Sequence, residues 1–180
     1  MTYQQVVLVD GFPVPAAVLN DMSAELAARS AAGLGIVARA NRTTSSSSTT
    51  SEVGVLRLDA VPVSIGRMYR IWTSPMIFQS TVSGDLINAH IRYSTAGTAT
   101  TGSTQLTGLV DNAASSSGPQ RTKGMTALWV PPATGVASIL LSVSRDSGTG
   151  SVALNASSPY PIDLVIEDCG ADPGSTGVIL

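Results

Sequence analysis

Hydrophobic and polar residues alternate with a period of two through most of the chain after residue 35, as they do in β-strands with one buried face. The alternation is clearest over 64–94, which also holds much of the aromatic content. Because aromatic side chains bury the largest apolar areas, this stretch predicts the centre of a β-domain, built from two strands joined by a turn at 82–85. The first of these strands turns Tyr69, Ile71 and Thr73 to one side and Met68, Arg70 and Trp72 to the other.

The same alternation recurs between clusters of Gly, Pro, Ser and Thr, and each recurrence predicts a strand. The predicted strands cover 36–44, 52–63, 105–110, 122–130, 137–145, 151–156 and 162–168. Because 146–150 has the composition of a hairpin turn, 151–156 is expected to return beside 137–145. Strands at this spacing are typical of sandwiches, jelly rolls and barrels, and the lack of strand–helix–strand alternation argues against a parallel α/β sheet.

Helical periodicity is confined to the region before the strands. Leu19, Met22 and Leu26 recur at spacings of three and four, with Val18 beside them, and glycines end the pattern after residue 32. The sequence therefore predicts a helix over 15–32. Because so short a helix is marginal alone, it either covers an edge of the sheet or, as we favour, bundles with the same helix in other copies.

These patterns predict a mainly β fold class, with a short N-terminal helix followed by an antiparallel β-sandwich or jelly-roll-like domain. We expect an anchor and helix over 1–35, the β-sandwich over 36–173 and a C-terminal tail over 174–180. The first residues have no basic segment ahead of a long apolar run, so no secretory leader is expected. No membrane insertion is expected either, because no run approaches the ~20 apolar residues of a span.

Composition points to self-association. Charged residues make up 12% of the chain, about half the share in average globular domains, while hydrophobic residues make up 43%. A surface so poor in charge predicts a homo-oligomer whose copies cover one another; the alternative is a monomer with a Ser/Thr-rich surface. The net charge is −2 and Lys123 is the single lysine. No nucleic acid partner is expected, because phosphate neutralisation needs stripes of Lys and Arg.

Residues able to carry catalysis are scarce and scattered. His90 is the single histidine and lies mid-strand, and Cys169 is the single cysteine, at the end of the last predicted strand. Neither lies in a nucleophile motif. We therefore expect no enzyme activity, no cofactor and no metal site. A calcium loop formed by Asp163, Asp168 and Asp172 is the weaker alternative, because the spacing of a calcium-binding loop is absent.

Two tryptophans, together with Tyr160, are candidates for ligand stacking, because an exposed aromatic ring on a β-sandwich can bind a sugar. Trp72 lies in the stretch 64–94, and Trp129 lies beside a Pro-Pro pair at a strand end. Burial in the core or at a subunit interface is the alternative for both rings. Stacking by either one would make the chain a carbohydrate-binding module.

Four segments of the sequence have a recognisable character: DGFPVPAAVLNDM, GIVARANRTT, RMYRIWTSPM with STVSGDLINAHIRYSTAGT, and IEDCGADPG. Together they resemble the small structural proteins of tailed bacteriophages, especially phages of actinobacteria, over residues 10–173. In such phages the pattern occurs in minor tail, fibre and head-decorating proteins. The resemblance implies a virion protein made in the host cytoplasm, a homotrimer, a helical stalk and a jelly-roll-like head.

The resemblance also implies a mode of assembly. Segment 2–12 is expected to anchor the protein to other virion proteins by adding a strand or filling a groove. The β-domain is then expected to project outward, and its Ser/Thr loops 43–51 and 111–120 either face a host cell-surface glycan or simply coat the particle. The alternatives are a capsid fibre or decoration protein and a carbohydrate-binding module. The anchor residues are Tyr3, Val6, Val7 and Leu8, and the helix residues that set three copies in register are Val18, Leu19, Met22 and Leu26.

Overall fold

The computed structural model describes residues 35–115 and 122–174, and all regular structure in them is β-strand. The mainly β prediction is therefore confirmed for this part of the chain. The protein divides into two compact units, 1–34 and Gly35–Leu180. The predicted anchor and helix lie outside the described residues, and the predicted domain boundaries stay predictions. The residues concerned are Tyr3, Val6, Val7 and Leu8 of the anchor and Val18, Leu19, Met22 and Leu26 of the helix.

Twelve strands are assigned within the described residues, and most fall where the alternation predicts them. They are β1 (Gly35–Arg42), β2 (Val53–Val63), β3 (Arg67–Thr73), β4 (Met76–Ser80), β5 (Leu86–Ser94), β6 (Thr104–Asn112), β7 (Ala114–Ser115), β8 (Thr122–Lys123), β9 (Thr126–Trp129), β10 (Gly135–Ser147), β11 (Val152–Asn155) and β12 (Ile162–Ala171). The predicted strand 122–130 is split into β8 and β9. Between β3 and β4 the chain passes through Pro75, which has no amide hydrogen to donate to a ladder.

The strands form three four-stranded sheets, and the third has the shortest strands. The first sheet has the order β1-β12-β3-β9 and the second β2-β10-β5-β6. The third sheet, β11-β4-β7 with β8 beside β4, follows the first, because only Ser74 and Pro75 separate β4 from β3. Apart from the short parallel pair β4–β7, all pairs are antiparallel. This arrangement is an antiparallel β-sandwich.

The hydrophobic core receives alternate residues from each sheet. On β10, Ile139, Leu141 and Val143 have no exposed surface, and the same holds for Ile71 on β3 and Ile166 on β12. All five belong to one hydrophobic cluster that draws on strands of all three sheets. The predicted inward side of β3 is confirmed, since Tyr69, Ile71 and Thr73 are all buried.

Two pairs of strands that are near each other along the chain are expected from the sequence to lie side by side, and neither pair does. β5 does not return beside β3, because β3 lies in the first sheet and β5 lies in the second, between β10 and β6. In the same way β11 pairs with β4, and the prediction that it returns beside β10 is wrong. Alternation specifies which side of a strand is buried, but it does not specify the neighbouring strand.

The Ser/Thr tract at 43–51 has no strand of its own, yet it is tied to β11. The Ser46 amide donates to Leu154 O at 2.9 Å, and Ser46 Oγ accepts from Leu154 N at 3.0 Å. Thr49 and Val152 form an isolated bridge further along. Part of the hydroxyl surface of this tract is therefore used inside the body, where it covers the edge of β11.

Asp85 joins two turns at one end of the sandwich. Its buried carboxylate accepts from Ser80 Oγ at 2.6 Å, from Gly150 N at 2.8 Å and from Thr149 N at 3.1 Å. At Gly148 φ is +109°, and an added Cβ would lie 1.9 Å from Asp85 Oδ1, so glycine is needed there. The carboxylate thus holds the β4–β5 turn against the β10–β11 turn.

Asp85 predicts a pH dependence of stability. The hydrogen bond from Ser80 lowers the pKa of Asp85, as do the two amides, although burial acts in the opposite direction. A carboxyl with a lowered folded pKa stabilises the protein above its unfolded pKa of about 3.9, and this stabilisation is lost as the pH falls through the folded pKa. Asp85→Asn is therefore expected to lower the urea midpoint near neutral pH and to weaken its fall in acid. Urea unfolding measured from neutral pH down to below the unfolded pKa of about 3.9 gives both effects.

The control for this prediction is Asp146→Asn, which alters an exposed carboxylate near the same turn. It should leave the urea midpoint close to that of the unaltered protein at neutral pH. A wild-type midpoint for Asp85→Asn under the same conditions would contradict the role of this carboxylate in holding the two turns.

Candidate binding surfaces

Exposed apolar side chains gather at the end of the sandwich where β2 turns into β3 and β9 leads to β10. Ile65 is 63% exposed, Val136 59% and Val130 39%. Pro62 pairs with Val136 in the second sheet, and Ile65 N donates to Thr134 Oγ1 at 3.0 Å, so the two connections lie side by side. We call the set Pro62, Ile65, Val130, Pro132 and Val136 the apolar end.

The residues that make up the apolar end are uncharged, although the Arg67–Asp168 ion pair and Asp172 lie beside them. Segments 60–66 and 130–138 contain no Asp, Glu, Lys or Arg, and prolines restrict the backbone of both. Gly35, the first described residue, lies towards this end, because it pairs with Asp168 and Asp168 pairs with Tyr69 near the start of β3. The first described residue of the body therefore lies close to the apolar end.

Trp129 lies in the core just inside the apolar end. It is 6% exposed, and its ring centroid lies 4.9 Å from that of Tyr93 and 6.1 Å from that of Tyr69. A ring covered in this way offers no face to a sugar. The position corrects the prediction of ligand stacking at Trp129 in favour of its alternative, burial in the core.

Trp72 lies on the outer face of the first sheet and is only half-buried. Val165 on β12 and Thr126 on β9 are its direct cross-strand neighbours. In the next row Arg70 Nε donates to Glu167 Oε2 at 2.9 Å, so the charges beside the tryptophan are neutralised within the sheet. The structure therefore separates two rings that look alike in the sequence, and Trp72 is the one at the surface.

An open groove of about 460 Å³ runs past Trp72, where β3 ends and β9 begins. An added Cβ at Gly124 would lie 3.0 Å from Thr73 O, so a side chain at this position would press on the groove wall. The indole Nε1 of Trp72 is buried and has no hydrogen-bond partner among the described residues. We call this the Trp72 groove; its lining is Arg70, Trp72, Thr73, Gly124, Met125 and Thr126.

A polar cluster lies on the outer face of the second sheet. Glu52 accepts from Arg92 Nε at 2.6 Å, from Arg92 Nη2 at 2.8 Å and from Ser142 Oγ at 2.5 Å. His90 pairs with Ser142 across the strands and is 8% exposed; burial, opposed by the charge of Glu52, lowers the pKa of His90. Because Ser142 donates to a carboxylate and has no exposed surface, the cluster lacks the accessible nucleophile of a serine hydrolase.

The acidic residues considered for calcium are not brought together. Asp163 pairs with Arg39 at 2.8 Å on the outer face, whereas Asp168 faces the other side of β12 and pairs with Arg67 at 2.7 Å. Within 35–115 and 122–174 no group of three His, Cys, Asp or Glu side chains is placed to hold a metal. In the same ranges no helix has the length and apolarity needed to cross a membrane.

No protein-family model matches the sequence, and no curated protein matches it significantly. Among solved structures, Eiger TNF from S. frugiperda is 14% identical with a TM-score of 0.39, covering 80% of this chain and 99% of its own. The infectious bursal disease virus VP2 subviral particle gives 14% identity and a TM-score of 0.40, covering 74% of this chain and 38% of that one.

The C-terminal CBM6 of LamC, a marine laminarinase from Zobellia galactanivorans, is 14% identical with a TM-score of 0.32, covering 71% of this chain and 99% of that one. These three proteins have unrelated roles, and each is only a distant likeness. The description of the fold therefore rests on the sheet topology of the chain itself.

The two tryptophans predict different losses of stability. Trp129→Ala removes a buried ring and is expected to lower the free energy of unfolding by ~3–5 kcal/mol. Trp72→Ala alters a half-buried surface position and is expected to cost less than half as much, because less apolar area returns to water. Denaturant unfolding followed by circular dichroism measures both values, and equal losses would contradict the different burial of the two rings.

Proposed function

We propose that the chain is a structural protein of a bacteriophage virion, a minor tail or fibre protein that is anchored by its N-terminus and projects a trimeric β-domain. The apolar end is the observation that carries this proposal, since Ile65, Val130 and Val136 are exposed where Gly35 begins the body. Contiguous apolar surface of this kind marks a contact with another protein surface. The phage class comes from the resemblance of the four sequence segments.

The charges of the described residues support assembly through apolar contacts. Arg42 and Arg145 donate to backbone carbonyls, at 2.7 Å to Thr44 O and 2.7 Å to Gly150 O respectively. The other cationic side chains in the described part of the chain each pair with Asp or Glu. Few charges are left to attract a polyanion or to oppose close contact between copies, which fits a building block of a larger particle.

The two ends of the body differ from each other, as a domain that is attached at one end and projects from a particle requires. From Arg67, next to the apolar end, to Trp72 the strand β3 advances five residues, a span of ~17 Å. Copies that contact one another at the apolar end would therefore leave the Trp72 groove and the β4–β5 turn facing away from the attachment. In this arrangement the opposite end is available to a host surface.

A capsid fibre or decoration protein is the alternative within the same class, because an anchored oligomer of this kind serves a head as well as a tail. Imaging of particles with the protein labelled locates it on one or the other. Density on the head shell would replace the tail assignment and leave the structural role intact, whereas absence of label from purified particles would overturn both.

The apolar end predicts the oligomeric state. The full chain is expected to have the mass of three copies in solution, and the double variant Ile65→Asp with Val136→Asp is expected to dissociate towards single chains. The reason is that two carboxylates would have to lose their water without gaining partners in the contact. Light scattering coupled to size-exclusion chromatography measures the mass, and circular dichroism checks that the variant is folded.

The matched control is Val82→Asp, which places the same charge at a residue 42% exposed in the β4–β5 turn, away from the apolar end. It should keep the mass of the unaltered protein. A single-chain mass for the unaltered protein, or an undiminished mass for the double variant, would show that the apolar end does not hold copies together.

The predicted anchor can be tested separately. Removal of residues 1–12 is expected to abolish incorporation into phage particles while leaving the unfolding transition of the body unchanged, because the body begins at Gly35. The amount of protein in purified particles, measured by immunoblot, gives the answer. Removal of 175–180 is the control of similar kind, and normal incorporation of the chain without 1–12 would place the anchor elsewhere.

A further inference from the structure

We propose that the Trp72 groove binds an uncharged saccharide, with the indole ring of Trp72 as its stacking surface. The groove is formed by β3, β9 and the segment between β8 and β9 of a single chain. It therefore does not need the apolar end to be covered, and the inference stands apart from the assembly proposed above. Its position away from the apolar end keeps it accessible if the copies assemble.

The ring is positioned before any ligand arrives. Val165 lies beside Trp72 on β12 and is 1% exposed, and Thr126 lies beside it on β9. A strand on each side restricts the rotamers of a bulky side chain, so little conformational entropy is lost when a flat ligand face is placed on the ring. Aromatic rings with one apolar face open and one edge near polar groups suit the mixed surface of a sugar.

Within the described residues, the groove offers polar groups but no unpaired charge. The guanidinium of Arg70 is engaged by Glu167, with Nε donating at 2.9 Å. The remaining polar groups nearby are the Thr126 hydroxyl and the carbonyls of Thr73 and Ser74, which lie 3.0 and 3.8 Å from a Cβ placed on Gly124. Such groups donate to and accept from hydroxyls, whereas an anionic ligand would have to displace Glu167 from Arg70.

The indole nitrogen of Trp72 is not assigned a part in ligand binding. Nε1 is buried and has no hydrogen-bond partner among the described residues. Because a buried atom cannot be reached by a ligand in the groove, Trp72 is assigned stacking alone.

The size of the groove agrees with this ligand class. Its volume of about 460 Å³ lies within the ~300–1,000 Å³ typical of small-molecule sites. Because the groove is open along the surface, it can hold a few units of a longer chain without enclosing the ends. A short linear oligosaccharide is therefore a suitable probe.

The test uses the full chain and a defined panel of immobilised hexasaccharides: α- and β-linked glucose, mannose and galactose as neutral probes, and galacturonic acid as the acidic probe. At least one neutral hexasaccharide is expected to bind, and Trp72→Ala is expected to weaken that binding by about tenfold or more. Trp72→Phe keeps a stacking ring of smaller area, so its affinity should fall between those of the unaltered protein and Trp72→Ala. Tyr160→Ala removes an aromatic ring that is 68% exposed elsewhere and should leave binding unchanged.

A second variant covers the case in which Trp72→Ala is poorly folded. Thr126→Arg changes an exposed residue opposite Trp72 and fills the groove from its rim, so it should block binding while the urea midpoint stays close to that of the unaltered protein. Binding of the acidic probe alone, binding that survives both variants, or no binding to any neutral probe would overturn the proposal. None of these outcomes bears on the mass of the oligomer, so the two proposals fail independently.

Discussion

Alternate side chains of the strands are buried in one core between the layers of the sandwich, and this burial sets the register of every strand that contributes to it. On β10 the inward residues Ile139, Leu141 and Val143 have no exposed surface. A slip of one residue would turn Ser138 and Ser142 towards the apolar core in their place and remove the hydrogen bonds that their hydroxyls donate to Asp59 and Glu52. The register that follows also sets the outer faces, because Trp72 can lie outward only if Ile71 lies inward.

The two ends of the sandwich are closed by different chemistry. At one end the buried carboxylate of Asp85 gathers the Ser80 hydroxyl and the amides of a neighbouring turn, so polar groups are satisfied within the chain. At the other end the connections are proline-rich and uncharged, and Ile65 and Val136 remain exposed. The two ends of the body therefore differ in chemistry, and Gly35 lies close to the apolar one.

The sequence indicates only some of the candidate surfaces. Trp72 and Trp129 both follow alternating residues and both precede a break in a strand, so their sequence context does not separate them. Their exposure differs because Tyr69 and Tyr93 cover Trp129 from two sheets, and pairing between distant strands decides that. The apolar end was missed, although two short segments without charge and with prolines were a signal that could have found it.

Three features follow from the sequence: the β class, the approximate position of most strands in the described residues, and the buried side of β3. They follow because period-two alternation is a property of each strand separately and needs no knowledge of its neighbours. The tertiary structure alone decided that β3 and β5 lie in different sheets, that β11 pairs with β4, and that Ile65 and Val136 meet at one end. These features depend on contacts between residues far apart in the chain. A local pattern cannot specify such contacts, because many pairings bury the same alternating residues equally well.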